Sequence, residues 1–478
     1  MSPATNSVPQ RLRVLAVSMA APNVPGGGGA TRAFHLLDAL CDIADVSLVS
    51  LGSVPGRGCV SARLAGRCER VVEPLPAIEA APTRRRSRMR SWLRFADVLA
   101  RPSRNYWLDF FHYYLQHGMP DLNMHLRAGF VRRLIQVWWR LMSRFSDMPP
   151  IQVMFLAHAW RCCEAEVRRL LQSEQFDVLW CEEALCYWFL QDLHKEFPEL
   201  QLVASAHNIE FILRQRLRDT AEHALLARHW EAQAKCCLRL EKKIYRRADL
   251  TIVCSDADAS AGERFFAQGR FAVIGNGVDT AYFNRAAVIA PVAEPILLFT
   301  GGFGYDPNAD AVRHFIQNIL PFVRGEVPNC KFVFAGREAK RLLQALNVRE
   351  PGVNAIDSPE DMRPIFESAT VFVVPLLSGG GTRLKILEAM AMQLPIVSTA
   401  IGAEGLGCLP GEHLLIADDD RAFAEAVVAL LQDEQRRRAM GAAARDWVCS
   451  NMDWNIHRER LKRVVLDYAR AKTGAAES

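Results

Sequence analysis

The 13 cysteines of this 478-residue chain include no C-x-x-C pair, and their number is odd. That argues against a structural zinc site and fits reduced, unpaired thiols in a cytosol. No stretch reaches the roughly 18 uninterrupted apolar residues of a membrane-spanning helix. At the N-terminus, Arg11 and Arg13 lead into a short apolar run with no long h-region, so the start reads as a tail entering a strand. The expected protein is soluble and cytoplasmic, or peripheral at the inner face of a membrane. Charge of one sign is also lacking: 58 Lys plus Arg against 53 Asp plus Glu leave +5. No histone-like or acidic-tail reading survives, and any basic character that matters is local. With half of the residues hydrophobic and 23% charged, the composition is globular and argues against disorder along most of the chain.

At roughly 100 to 200 residues per domain the length predicts two to four domains. Strand and helix signals alternate in two runs, an α/β pattern twice over. The first has a strand at Leu12–Ser18, a glycine loop at Gly26–Gly29, a helix at Ala30–Cys41 and a strand at Val46–Leu51. Further strands are expected at Asp177–Trp180, Leu202–Ala206 and Leu250–Cys254, with a long polar helix near Ala221–Arg247. A connector rich in turn formers follows, from Val273 through the Pro-bounded AAVIAPVAEP. The second run has strands at Ile296–Thr300, Lys331–Gly336, Val371–Pro375, Pro395–Thr399 and His413–Ala417, then three closing helical stretches. Short continuous apolar strands of this kind indicate parallel sheets covered on both faces. The boundaries predicted are 1–285 for the first domain, 286–454 for the second and 455–478 for a C-terminal helix and tail.

One stretch departs from the scheme. Between Arg84 and Met142, and in the wider insertion about 84–145, clustered arginines combine with Trp, Tyr and Phe at helical spacing. The segment reads either as an interfacial helix on an anionic membrane surface or as an insertion that packs its aromatics onto the first domain. No nucleic-acid motif accompanies it, and nucleic acid is not an expected partner.

Three places suit chemistry, all at carboxyl ends of predicted strands, where ligands bind in open α/β sheets. In LSGGGTRLKILEAMAMQLPIVST, Gly379, Gly380 and Gly381 precede a helix beginning near Thr382, so backbone N–H groups can approach a phosphate that the helix dipole favours. Arg383 and Lys385 add two cations, and lysine is scarce in this chain. Lys385 and Glu388 share a helix face, where the carboxylate can accept from vicinal ribose hydroxyls. The competing reading is a surface Lys–Glu pair, which leaves the triple glycine unexplained. Gly26, Gly27, Gly28 and Gly29 form the second place. Thr31 replaces the last glycine of a dinucleotide fingerprint, leaving a loop facing a cleft or a tight turn. The third is His207, beyond the strand Leu202–Ala206, able to reach a phosphate or sugar hydroxyl or else simply structural. Glu182 and Glu183 are weaker candidates of the same type.

GNGVD with Phe283, GGFGYDPNADAV, FAGRE and above all GGGTRLKILEAMAMQLPIVSTAIGAEGL resemble the group 1 (family 4) glycosyltransferases, in particular the branch found with bacterial exopolysaccharide gene sets. The resemblance covers nearly the whole chain except Arg84–Met142. It implies the GT-B fold: two Rossmann-like domains with parallel sheets facing across a cleft, and a C-terminal helix returning to the first. The implied activity is retaining transfer of a hexose from a UDP- or GDP-sugar, bound mainly on the second domain, to a lipid-linked or growing saccharide on the first. Glu388 then matches the second glutamate of the family's E-x7-E motif, the ribose ligand, while the first falls at Gly380. Backbone N–H groups of Gly379–Thr382 would take its place. The usual Arg and Lys after the first strand of the second domain are absent, which leaves Arg383 and Lys385 as the diphosphate cations. His207 matches the histidine facing the donor sugar, and Gly26–Gly29 the loop near its phosphates. No Asp-x-Asp metal motif accompanies these residues, so no metal or other cofactor is expected. Two rivals stay open: a nucleotide-sugar epimerase of the same fold, and a non-catalytic homologue that binds a nucleotide sugar.

Overall fold

The computed structural model describes residues 11–24, 28–52, 59–74, 153, 156–221, 224–285, 294–304, 306–348, 350–378 and 384–476. The chain forms two compact units. The first takes the residues up to Val253 with Ala259–Ala272 and those from Val464 on; the second takes Cys254–Asp258 and Val273–Arg463.

In the first unit seven strands make one sheet in the order β3-β2-β1-β4-β5-β6-β7. They are β1 (Leu12–Ser18), β2 (Ala44–Ser50), β3 (Arg70–Val72), β4 (Val178–Glu182), β5 (Gln201–Ser205), β6 (Leu250–Val253) and β7 (Phe271–Val273). Strands β1 to β6 pair in parallel along this order. Val14 to Val17 of β1 are buried, as expected of a strand with helices over both faces. The second unit carries six strands in the order β10-β9-β8-β11-β12-β13: β8 (Ile296–Thr300), β9 (Lys331–Gly336), β10 (Val353–Asp357), β11 (Val371–Val374), β12 (Ile396–Ser398) and β13 (Leu415–Ile416). Its core gathers Phe299, Phe315, Phe332, Phe334, Phe366 and Phe372 around that sheet.

Both sheets begin 3-2-1-4-5-6, the doubly wound order, so each has one point where successive crossovers diverge to opposite sides. That point lies between β1 and β4 in the first unit and between β8 and β11 in the second. A crevice opens there at the carboxyl ends of the strands, because the flanking loops leave in opposite directions. Both candidate clusters described below lie at these crevices.

Three strands escaped the sequence reading, β3, β7 and β10, and each lies at the edge of its sheet. An edge strand needs only one paired side and little burial; β3 and β10 are interrupted by polar residues, and β7 is a run of only three residues leading into the turn-rich connector. Residues from Val273 group with the second unit, where Val278 bridges to Asp453 and the Arg445 guanidinium donates to the carbonyl of Thr280 at 2.9 Å. The helix Trp454–Ala476 begins in the second unit and groups with the first from Val464 onward. No helix among the described residues is long and apolar enough to cross a membrane.

Candidate active site

In the second unit β8 ends at Thr300 and runs into Gly301 and Gly302. Across the crevice, the helix Leu384–Ala391 follows β11 and presents Lys385 from its first turn. The ammonium lies 4.0 Å from the centre of the Phe299 ring and donates to Asn308 Oδ1 at 2.7 Å. The Asn308 amide in turn donates from Nδ2 to the Gly302 carbonyl at 2.9 Å, and the residue is buried. Asn308 therefore ties the cation to the end of β8. A Cβ on Gly301 would lie 2.8 Å from Asn308 Nδ2 and 3.0 Å from Lys385 Nζ, so this strand end has room for glycine and little else. Arg337, exposed after β9, brings Nη2 to 3.7 Å from the point a Gly302 Cβ would occupy. Two positive groups thus border one stretch of backbone.

Glu388 lies one turn beyond Lys385 on the same helix. Burial pushes its carboxyl up to about 7, against the pull of the Lys385 charge, although its surface is only half-buried. A carboxyl held near neutrality in a strand-end crevice is the kind of perturbed group that marks binding and catalytic sites.

The first unit repeats the arrangement between β1 and β4. The helix Gly28–Ile43 starts directly after the loop, and a Cβ on Gly29 would stand 3.2 Å from His207 Nδ1 and 3.6 Å from Glu183 Oε1. Strand geometry explains the meeting. Glu182 of β4 and Ser205 of β5 are register partners, and residues two apart share a face, so Trp180 stands on the face of Glu182 and Ser205, and His207 follows two residues past the end of β5. His207 Nε2 lies 2.6 Å from Glu182 Oε1. Ser205 Oγ donates to the same oxygen at 3.2 Å, and the Trp180 indole N–H donates to Oε2 at 2.7 Å. Glu182 is fully buried beneath the ring, whereas the His207 side chain is 13% exposed.

Glu183 has a left-handed backbone, φ 65°, uncommon for a residue with a side chain and a form of strain that concentrates at functional sites. Its carboxyl oxygen lies 3.9 Å from His207 Nδ1, and burial pushes the group up to about 7. The segment after His207 is fixed by a second buried carboxyl. Glu241 accepts from the backbone N–H of Glu210 at 2.8 Å and of Phe211 at 3.0 Å, so it caps the helix Glu210–Asp219 from outside. Burial raises this carboxyl to about 8.

Family models bear on both units. One described as glycosyl transferases group 1 matches residues 294–433, and one described as Glycosyltransferase Family 4 matches residues 144–282. The chain belongs to the group 1 glycosyltransferases. A Klebsiella pneumoniae protein described as an uncharacterized 44.6 kDa protein in the cps region is 29% identical over 164 residues, covering 33% of this chain and 42% of that protein. A GDP-mannose-dependent alpha-(1-6)-phosphatidylinositol monomannoside mannosyltransferase of Mycolicibacterium smegmatis is also 29% identical, over 160 residues, 30% of this chain and 42% of the relative. The match therefore spans less than half the length of each of these two relatives. Sucrose-phosphate synthase from Thermosynechococcus elongatus superposes with a TM-score of 0.64 at 17% identity, covering 96% of this chain and all of that structure. That likeness is one of fold, and the fold is GT-B.

Of the residues singled out from the glycosyltransferase sequence, the structure brings Gly29 to His207 in one unit and sets Lys385 and Glu388 on one helix in the other. Gly28 is exposed at the start of its helix. Gly26, Gly27, Gly379, Gly380, Gly381, Thr382 and Arg383 lie outside the described residues, as does the insertion 84–145. Asn308 and Phe299 were missed; Asn308 stands inside GGFGYDPNADAV, but nothing local marks it as the partner of a lysine 77 positions later. Two Asp-x-Asp strings occur elsewhere, at Asp256–Asp258 and Asp418–Asp420, where Asp420 Oδ1 lies 2.7 Å from His314 Nε2. Asp258 accepts from Ser255 Oγ at 2.7 Å at the start of the helix Asp256–Phe265. Asp418 accepts from the Ala400 N–H and Asp419 caps the helix Asp420–Gln432. Among the described residues no three His, Cys, Asp or Glu side chains cluster as a metal ion would require.

Proposed function

We propose that this glycosyltransferase retains anomeric configuration and moves a hexose from a UDP- or GDP-sugar to a lipid-linked or growing saccharide acceptor in bacterial cell-surface polysaccharide synthesis. The observation that carries the reading is Lys385: an ammonium fastened by Asn308 to the glycine end of β8, at the crevice where the doubly wound sheet divides. A diphosphate gains charge as the glycosidic bond breaks, so a cation pre-positioned there stabilises the transition state more than the ground state. Arg383 and the N–H groups opening the Leu384 helix add to that field, and the reaction is proposed to need no metal ion. Glu388 is the ribose ligand. His207 is the group for the transferred sugar and the Gly26–Gly29 loop the one for its phosphates, and departure and attack occur on one face with the leaving phosphate assisting.

The Klebsiella relative, named for a cps region, and the mycobacterial mannosyltransferase support a surface-glycan role and a hexose donor. A thermal-shift screen of UDP-, GDP- and ADP-sugars tests the reading. A true donor at 100 times its Kd stabilises the protein by about 2.7 kcal/mol, and Lys385→Met should lower that shift only in part, because the cation's larger effect is on the transition state. No shift with any nucleotide sugar, or the same shift in the Lys385→Met protein, would reject it.

A further inference from the structure

We propose that Glu182 is a positioning residue for His207: it decides which ring nitrogen carries the proton and which faces the loop at Gly29. The inference rests on the reading of His207 as a group for the transferred sugar. Glu182 is fully buried and cannot touch a substrate itself, so its influence passes through the histidine.

Two donors, the Trp180 indole N–H and the Ser205 hydroxyl, and the ring nitrogen His207 Nε2 converge on its two oxygens. The indole can only donate, so Oε2 must accept. At 2.6 Å, Oε1 takes the proton-bearing Nε2 of His207, which places Nδ1 on the side of Gly29 and Glu183. A ring turned the other way would set a C–H against a buried carboxylate. The register of β4 on β5 holds this geometry from the backbone up, since Glu182 and Ser205 are direct partners.

Glutamine in place of Glu182 makes the dependence testable, because an amide has one acceptor oxygen where the carboxylate has two. Its NH2 cannot face the indole N–H, so its oxygen goes to Trp180 and its NH2 to Ser205 and His207. The histidine must then accept at Nε2 and carry its proton on Nδ1. Adding Trp180→Phe removes the indole donor and lets the amide turn round, restoring an acceptor to His207 Nε2.

The experiment uses full-length protein labelled with 15N-histidine, with the His207 signals assigned by comparison with His207→Gln. Wild type should show the proton on Nε2 and Glu182→Gln should show it on Nδ1. The double variant Trp180→Phe/Glu182→Gln should return it to Nε2. With whichever donor the screen identifies, Glu182→Gln should lower kcat about 100-fold, the cost of a small misplacement of a reacting group. KM should move less than threefold, and the double variant should recover at least tenfold in kcat. An unchanged tautomer in Glu182→Gln, or a switched tautomer with kcat intact, overturns the proposal. The NMR arm needs no donor, so it decides the positioning claim even if no nucleotide sugar proves to be a substrate.

Discussion

The carboxyl of Glu388 stands near 7 before any donor arrives, and the ribose it is proposed to hold should change that. Two hydroxyls donating to a carboxylate favour its charged form, by about 1.5 to 3 kcal/mol for hydrogen bonds to a charged group. At 1.36 kcal/mol per pKa unit, that lowers the group by about one to two units in the complex. The sign follows by linkage. Below pH 7 the free protein carries a proton on Glu388 that binding must expel, so affinity falls as pH drops through 7 and levels off once the complex is protonated too. Donor affinity should therefore be about 10- to 50-fold stronger at pH 8 than at pH 5. Isothermal titration with a nucleotide sugar, whose diphosphate diester does not titrate in this range, reads both the affinity and the protons released. The measurement is made in the Glu183→Gln background, because Glu183 also titrates near 7. Glu388→Gln should bind weakly, with a flat pH profile and no proton release. A wild-type profile without slope between pH 5 and 8, or a slope that survives in Glu388→Gln, would refute the assignment of Glu388 to the ribose.

Three further outcomes follow from the same structure. Lys385→Met should lower kcat more than it raises KM, because charge on the diphosphate grows in the transition state, and wild-type turnover should persist in EDTA; strict dependence on Mg²⁺ or Mn²⁺ would contradict the metal-free site. Glu241, raised to about 8, contributes stability that is fully present below the ordinary glutamate range and is lost as pH rises through 8. Urea unfolding of wild type and Glu241→Gln should therefore shift in favour of the variant between pH 6 and 9, and parallel pH profiles would rule that out. The arginines at 84, 85, 86, 88 and 90 should carry the protein onto anionic but not neutral vesicles in low salt, at about 1 kcal/mol for each one engaged. Sedimentation that ignores lipid charge would leave that segment without a membrane role.

Most of the two sheets could be read from the chain because their central strands are buried on both faces. Ile296–Thr300 and Lys331–Gly336 coincide with β8 and β9, and Leu12–Ser18 with β1. The edge strands β3, β7 and β10 could not be read that way, since each is paired on one side only; β3 and β10 are broken by polar residues and β7 is three residues long. The site divides along the same line. His207 could be singled out because it stands two residues past β5, and Lys385 and Glu388 because they open a helix after three glycines in a chain poor in lysine. Asn308 was invisible, because its contact with Lys385 depends on β8 lying beside β11, a pairing that no local pattern encodes. Glu182 was noticed as a candidate, but its burial beneath His207 depends on the β4–β5 register.

Whether this glycosyltransferase joins a hexose from a nucleotide sugar to a saccharide with its anomeric configuration kept can be read by incubating the protein with UDP- and GDP-hexoses and a saccharide or lipid-linked acceptor, then following nucleoside diphosphate release and the anomeric proton of the product by NMR. Diphosphate release should require acceptor, the new glycosidic bond should have the donor's own anomeric configuration, and both should be lost in Lys385→Met. Epimerised sugar formed without acceptor, or a tightly bound donor that is never turned over, would contradict the proposed transfer.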